Sequence, residues 1–490
     1  MTLPLNPSLY QINTRVRLSE IGSSRPATLD DFPNSEIDQL AKAGYDFVWL
    51  LGVWQTGPAG RNESLSNPEW RREFQQTLPD FRESDVCGSC FAVRDYHVHK
   101  DFGGDDALLR LRKRLSDRGI RLMLDFVPNH TALDHRWVSE YPDFYVSGTE
   151  QQLAATPQNY CRVMTGAGER ILAHGRDPYF PGWSDTLQLN YANPEMQKAL
   201  LAELIRIASQ CDAVRCDMAM LDLPEVFART WGTQAEPFWP NATEVVHRQN
   251  PDFRFMAEVY WDLEWTLQQQ GFDYTYDKRL YDRLRERIAQ PVRQHLMAGL
   301  DYQHKLARFL ENHDEPRAAA TFDLPVHRAA AVITFLTPGL RFFHQGQLQG
   351  KKVHIPTHLC RGPNEPIDQE IAGFYAQLLP LLRDPAFRDG DWQLLTCRSV
   401  WDGNWTWESF ISFSWTGPKD ERRLIAVNYS DHQSQCYVTL PWSDLSDRNW
   451  RLQDRLVPSA YDRQGADLSS RGLYLDLPAW GYNVFDVIAT

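Results

Sequence analysis

Short continuous apolar runs alternate along this chain with stretches whose apolar residues recur every third or fourth position. Buried strands give the first pattern and amphipathic helices the second. Strands are expected over 10–16, 46–54, 253–260, 272–276, 305–312 and 340–344, and in the runs that hold Asp125 and Asp217. Helices are expected over 36–42 and 369–382. In a further helix Leu108, Leu111 and Leu115 share one face and Gly119 provides the stop; in another, Asn193-Pro194 opens a stripe of Met196, Leu200, Leu204 and Ile207. About eight strand-helix units result, which predicts an α/β fold of the (β/α)8 TIM-barrel type, where chemistry sits at the carboxyl ends of the strands.

The alternation breaks in three places. Residues 55–92 are punctuated by Gly, Pro, Asn and Ser around a helix-like patch at 70–77, which is long for a connection. Over 131–189 periodicity fails and His, Pro, Gly and aromatic residues gather, as in Gly175-Arg-Asp177-Pro-Tyr-Phe180-Pro-Gly-Trp183. Beyond about residue 390 the pattern alternates as in antiparallel strands, in 409–415 and 423–428. The expected organisation is a barrel domain from 1–130 and 190–388, a small loop-rich domain at 131–189 inserted after the third strand, and a carboxyl-terminal β-sandwich at 389–490.

At 490 residues the chain exceeds a single-core size, and its net charge of −13 argues against nucleic acid or an anionic membrane as partner. A neutral substrate fits better. No apolar run is long enough to span a bilayer, and the opening Met-Thr-Leu-Pro-Leu-Asn-Pro has neither the basic nor the apolar region of a secretory signal, so a cytoplasmic location is expected. Eight cysteines in such a chain do not make a disulfide scaffold. Cys87-Gly-Ser-Cys90 lacks a second pair or nearby histidines to complete a zinc site, and free thiols are expected there.

Charged residues at the ends of apolar runs change the picture most. Asp212-Ala-Val-Arg215-Cys-Asp217 reads as a buried strand, yet it carries a cation and a carboxylate two apart, on one face. Asp125, Glu258 and the pair His313-Asp314 also close apolar runs, which places four acids on one rim.

The stretches Asp125-Phe-Val-Pro-Asn129-His130, Val214-Arg215-Cys-Asp217, Glu258-Val and Asn312-His313-Asp314 resemble, in order and spacing, the four signature regions of the α-amylase family, glycoside hydrolase family 13. The resemblance implies retaining cleavage of α-glucosidic bonds, which needs a carboxylate nucleophile and a protonated acid roughly 5 Å apart. It makes Asp217 the nucleophile, Glu258 the acid/base and Asp314 the third acid, which grips sugar hydroxyls. It puts Arg215 beside Asp217, where a cation favours the ionised nucleophile, and pairs Asp125 with Arg215, with Asn129 in support. His130 and His313 would hydrogen-bond the sugar, Tyr96 would stack on its ring, and Asp177, Phe180 and Trp183 are candidate contacts in the inserted domain, although Asp177 also suits a turn cap.

Two departures narrow the implication. Where calcium-dependent members have Lys-His after the nucleophile, this chain has Met220-Leu221, so no metal or other cofactor is expected. Where exo-acting members have Gly-Tyr-Asp-Ile-x-Asp-Tyr, it has Cys90-Phe-Ala92-Val-Arg-Asp95-Tyr96, and Ala92 cannot clamp a terminal glucose. An α-glucan or maltooligosaccharide hydrolase with possible transglycosylation is the first reading. A sucrose- or disaccharide-active glucosyltransferase is the second, and a non-catalytic glucan-binding scaffold the third.

Overall fold

A computed structural model describes residues 3–22 and 26–490. Met1 and Thr2, where the opening segment considered for targeting begins, lie outside them. Eight parallel strands close a barrel: β1 (Ser8–Asn13), β2 (Phe47–Leu51), β3 (Arg121–Phe126), β4 (Ala213–Cys216), β5 (Arg254–Ala257), β6 (Tyr274–Tyr276), β7 (Leu306–Arg308) and β8 (Leu340–His344). Each pairs with its neighbours in sequence, and β8 closes on β1 through Leu9 opposite Phe342. Interior packing on one face and helices on the other explain why Phe47–Leu51 is apolar and buried at every position.

The expected barrel strands are present; Leu340–His344 keeps its expected bounds and the others with stated bounds are shorter. The first ends at Asn13 because its side chain accepts the Val16 amide and starts the helix Thr14–Ile21. Within 55–92 the structure holds two helices, Pro58–Ser66 and Pro68–Thr77, each opened by a proline; Asn67 caps the second. Only the second has an apolar face visible in the sequence, through Trp70 and Phe74. Trp54–Thr56 and Val93–Val98 pair antiparallel and close this excursion.

The 131–189 stretch is also more regular than its sequence. It contains a hairpin of Tyr160–Thr165 and Gly168–Ala173, and His130–Ala132 pairs with Thr186–Gln188, so the ends of the excursion meet beside β3. After the barrel come a six-stranded and a three-stranded antiparallel sheet. Phe410, Leu424 and Phe485 of the first share an apolar cluster with Cys436, Val438 and Leu475 of the second, which is the core of a sandwich. Trp415 donates its indole N–H to Leu336 O at 2.8 Å, and Tyr429 its hydroxyl to Leu284 O at 2.7 Å, which ties the sandwich to the barrel.

One buried ion pair braces the barrel wall. Asp277, following β6, accepts from Arg308 Nε of β7 at 3.1 Å and lies 2.9 Å from His295 Nε2, all three side chains being nearly inaccessible to water. No helix among the described residues is long and apolar enough to cross a membrane.

Candidate active site

Asp217 and Glu258 each stand one residue beyond their strands, β4 and β5, because the ladder continues to them: Asp217 N donates to Phe126 O at 2.8 Å and Glu258 N to Cys216 O at 3.0 Å. The Arg215 guanidinium joins them. Its Nη1 lies 2.6 Å from Asp217 Oδ1 and its Nη2 2.6 Å from Glu258 Oε2, with the arginine side chain only 1% exposed. Met218, in the left-handed region at φ 44°, turns its amide back to donate to the same Glu258 oxygen at 2.8 Å. The other oxygen, Oε1, accepts the Tyr260 hydroxyl at 2.8 Å. Two acids thus face one mouth on adjacent strands, clamped by a single cation.

Burial raises the Glu258 carboxyl and the Asp217 charge adds to that, while Arg215, the Met218 amide and Tyr260 pull it down; the net direction is up. A carboxyl of this kind keeps its proton to higher pH than a free glutamate, as a general acid must. Desolvation in the cleft and the Glu258 charge also push Asp314 up, an effect screened by water because its side chain is 41% exposed. His313 lies 3.1 Å from Asp314 through Nε2, and Gln11 Nε2 donates to its Nδ1 at 2.8 Å. Burial and Arg215 drive its pKa well down, so the ring is neutral with its proton on Nε2.

His130 is buried and neutral for the same first reason, and its ring lies 5.3 Å from that of Trp183. Asn129 is locked in place: its Oδ1 accepts Gln188 Nε2 at 2.9 Å and its Nδ2 lies 3.2 Å from His130 Nδ1.

Three expected contacts differ in the structure. Asp125 faces Arg215 across the β3–β4 register but does not form an ion pair with it. Its carboxylate accepts Trp49 Nε1 at 3.1 Å and the Gly52 amide at 2.7 Å, because the guanidinium is turned to the two acids further along the barrel. Burial raises Asp125 to about 7 against the pull of Arg215. Tyr96 is 4% exposed, with its hydroxyl tied to the Val127 backbone, so it packs inside the wall and offers no face to a sugar. Asp177 accepts the amides of Tyr179 and Phe180 at 2.6 and 2.9 Å, which is the turn cap. Phe180 itself is 68% exposed, at a cavity of about 630 Å3 shared with Met218, Tyr260 and Trp261.

An aromatic ring that does pack against the cluster of His313 and Arg215 is Phe91. Its ring lies 5.3 Å from the His313 ring, and the Arg215 guanidinium is 5.0 Å from its centre. The signal was in the sequence, since Phe91 occupies the Tyr position of the Gly-Tyr-Asp pattern. Tyr260 is two residues from Glu258 in the sequence, but its hydrogen bond to that carboxyl emerges only from the packing, as do Tyr276, which meets Arg215 Nε at 3.3 Å, and Gln11.

A calcium ion is not matched by these residues. The Asn129 side-chain oxygen is committed to Gln188, and no group of three or more His, Cys, Asp or Glu able to hold a metal exists among the described residues. All eight cysteines are free.

Residues 36–393 match the family model for the alpha amylase catalytic domain. The chain is similar to Alpha-amylase 3 of Dictyoglomus thermophilum, 23% identical over 296 residues, which is 56% of this chain and 56% of that protein. It is also similar to the intracellular maltogenic amylase of Bacillus subtilis, 23% identical over 394 residues, 73% of this chain and 59% of that protein. The chain thus spans little more than half the length of these relatives. Among solved structures, the noncanonic maltogenic alpha-amylase AmyB from Thermotoga neapolitana superposes with a TM-score of 0.70 at 17% identity over 99% of both chains, a likeness of fold.

Proposed function

Because the chain belongs to the α-amylase family, we propose that it cleaves α-glucosidic bonds of α-glucans or maltooligosaccharides with retention of configuration. The observation that carries this reading is the single Arg215 guanidinium shared by Asp217 and Glu258 at 2.6 Å each. An Asp217 carboxylate oxygen attacks the anomeric carbon as the Glu258 carboxyl gives its proton to the departing glycosidic oxygen, and a glycosyl ester on Asp217 results. Glu258, now a carboxylate, takes a proton from water, which attacks the same carbon and frees Asp217. A sugar hydroxyl in place of water makes the step a transglycosylation.

Asp314, His313 and His130 hold hydroxyls of the reacting sugar, and Phe91 lies under its ring. Phe180 contacts the acceptor side. Ala92 offers no clamp for a chain end, and Arg361 is engaged elsewhere, at 2.8 Å from Asp85 and 3.0 Å from Asp80. That supports a substrate running through the cleft. The domain limits follow the same reading: barrel at 1–130 and 190–388, inserted domain at 131–189, sandwich at 389–490. The likeness to the intracellular maltogenic amylase of Bacillus subtilis supports a cytoplasmic setting.

The test is product analysis of the protein and of Asp217→Asn on a mixture of maltooligosaccharides and sucrose. Shortened glucans from the unaltered protein alone are expected, with a rate loss of about four orders of magnitude or more in the variant. Loss of sucrose with new glucosides would replace the hydrolase reading by a glucosyltransferase, and full activity of Asp217→Asn would remove the nucleophile assignment.

A further inference from the structure

Near the carboxyl ends of β1 and β2, apart from the acids, an open cavity of about 890 Å3 is walled in part by Arg15, Thr56, Arg61, Arg94 and Lys100. In a chain of net charge −13, four cations meet there, and Asp101 is the sole carboxylate residue among the described residues of the wall. None of the four makes an ion pair among the described residues. Arg61 donates to the backbone oxygens of Val86 and Glu83 at 2.8 and 2.9 Å, and Arg94 and Lys100 are exposed.

Arg15 is the unusual member. It is 5% exposed, and its acceptors are all neutral: Gly88 O at 2.6 Å, Thr56 Oγ1 at 2.9 Å and Cys87 Sγ at 3.0 Å. A guanidinium has five N–H donors, so donors remain for a ligand. Buried arginines ordinarily face an anion, because desolvating an unpaired charge is costly. Here no anion meets it among the described residues, and the cation lines an open cavity.

We propose that this cavity binds a phosphorylated sugar, with Arg15 and Arg61 taking the phosphoryl group and Arg94 and Lys100 adding to the field. Several cations and a guanidinium fork suit a dianionic phosphoryl group better than a single carboxylate. The volume exceeds that of a phosphate ion and leaves room for a sugar beside it. None of Asp217, Glu258 and Asp314 lines this cavity, which keeps the two sites distinct. They are linked through the chain: Arg15 holds the Gly88 carbonyl, and three residues later Phe91 faces Arg215 and His313. A ligand on Arg15 therefore bears on the loop that carries Phe91.

Isothermal titration of the purified protein with glucose 1-phosphate, inorganic phosphate and glucose tests the site without reference to its activity. The ester is expected to bind with a dissociation constant below about 1 mM, and the double variant R94Q/K100Q to weaken it about tenfold or more. Among the described residues those two exposed side chains make no hydrogen bond, so the variant leaves the barrel intact. No binding of the ester at about 10 mM, or binding unchanged in R94Q/K100Q, would overturn the site. Equal affinity for inorganic phosphate would overturn its sugar part. The ester is also expected to shift KM for a maltooligosaccharide in the unaltered protein by about twofold or more, and an unchanged KM with the site filled would overturn the link to the cleft.

Discussion

The Tyr260 hydroxyl donates to Glu258 Oε1 at 2.8 Å, on the side of the carboxyl away from Arg215 and the Met218 amide. Burial keeps the Tyr260 phenol protonated far beyond neutral pH, so the hydroxyl remains a donor throughout the working range. It therefore favours the charged form of Glu258 and holds the group in position. Removing it in Tyr260→Phe takes away one contact that lowers the Glu258 pKa, so that pKa rises. The basic limb of the pH–rate profile is expected to move to higher pH, and kcat to fall about tenfold from lost positioning. A profile that stays in place would show that Tyr260 is only packing.

The Phe91 ring packs against both His313 and the Arg215 guanidinium. Phe91→Ala removes the platform and is expected to raise KM for maltooligosaccharides about tenfold, while Phe91→Tyr stays near the original value. Initial-rate measurements on both variants decide it, and equal KM values in the alanine variant would rule out stacking.

Asp277 bears on stability alone. Its contacts with His295 and Arg308 outweigh the effect of burial, and its carboxyl lies below the ordinary value. A depressed folded pKa contributes stability that is complete above the unfolded value of about 4 and is lost as pH falls through the folded one. Asp277→Asn strands Arg308 without a counter-ion, at a cost of about 3–5 kcal/mol near neutral pH. Thermal melts at several pH values should show the variant far less stable at pH 7 and the gap narrowing in acid.

Chelation should leave the melting temperature unchanged. Asn129 is committed to Gln188, Met220-Leu221 stands in place of Lys-His, and no group of three or more His, Cys, Asp or Glu able to hold a metal exists among the described residues. A large fall on adding EDTA, reversed by calcium, would reveal a bound structural ion.

The apolar runs and the stripes between them determined the barrel, because burying a strand on both faces and a helix on one leaves periods that need no partner to be read. The residue types at the strand ends determined which side chains meet at the carboxyl rim, since a parallel barrel brings every strand end to one side. Boundaries were less legible: a cap at Asn13 cut the first strand short, and the helix Pro58–Ser66 hides in polar sequence because it has little apolar face. Only the tertiary structure decided the pairings. By sequence Arg215 stood beside Asp217 and was paired with Asp125; the strand register and the direction of its side chain kept Asp217 and gave it Glu258 in place of Asp125. Tyr96 and Phe91 are both aromatic and five apart, and the turn before Val93–Val98 chose which ring faces the cleft. Such choices depend on loop closure across many residues, which spacing does not carry; for Phe91 the motif position was the one local pointer.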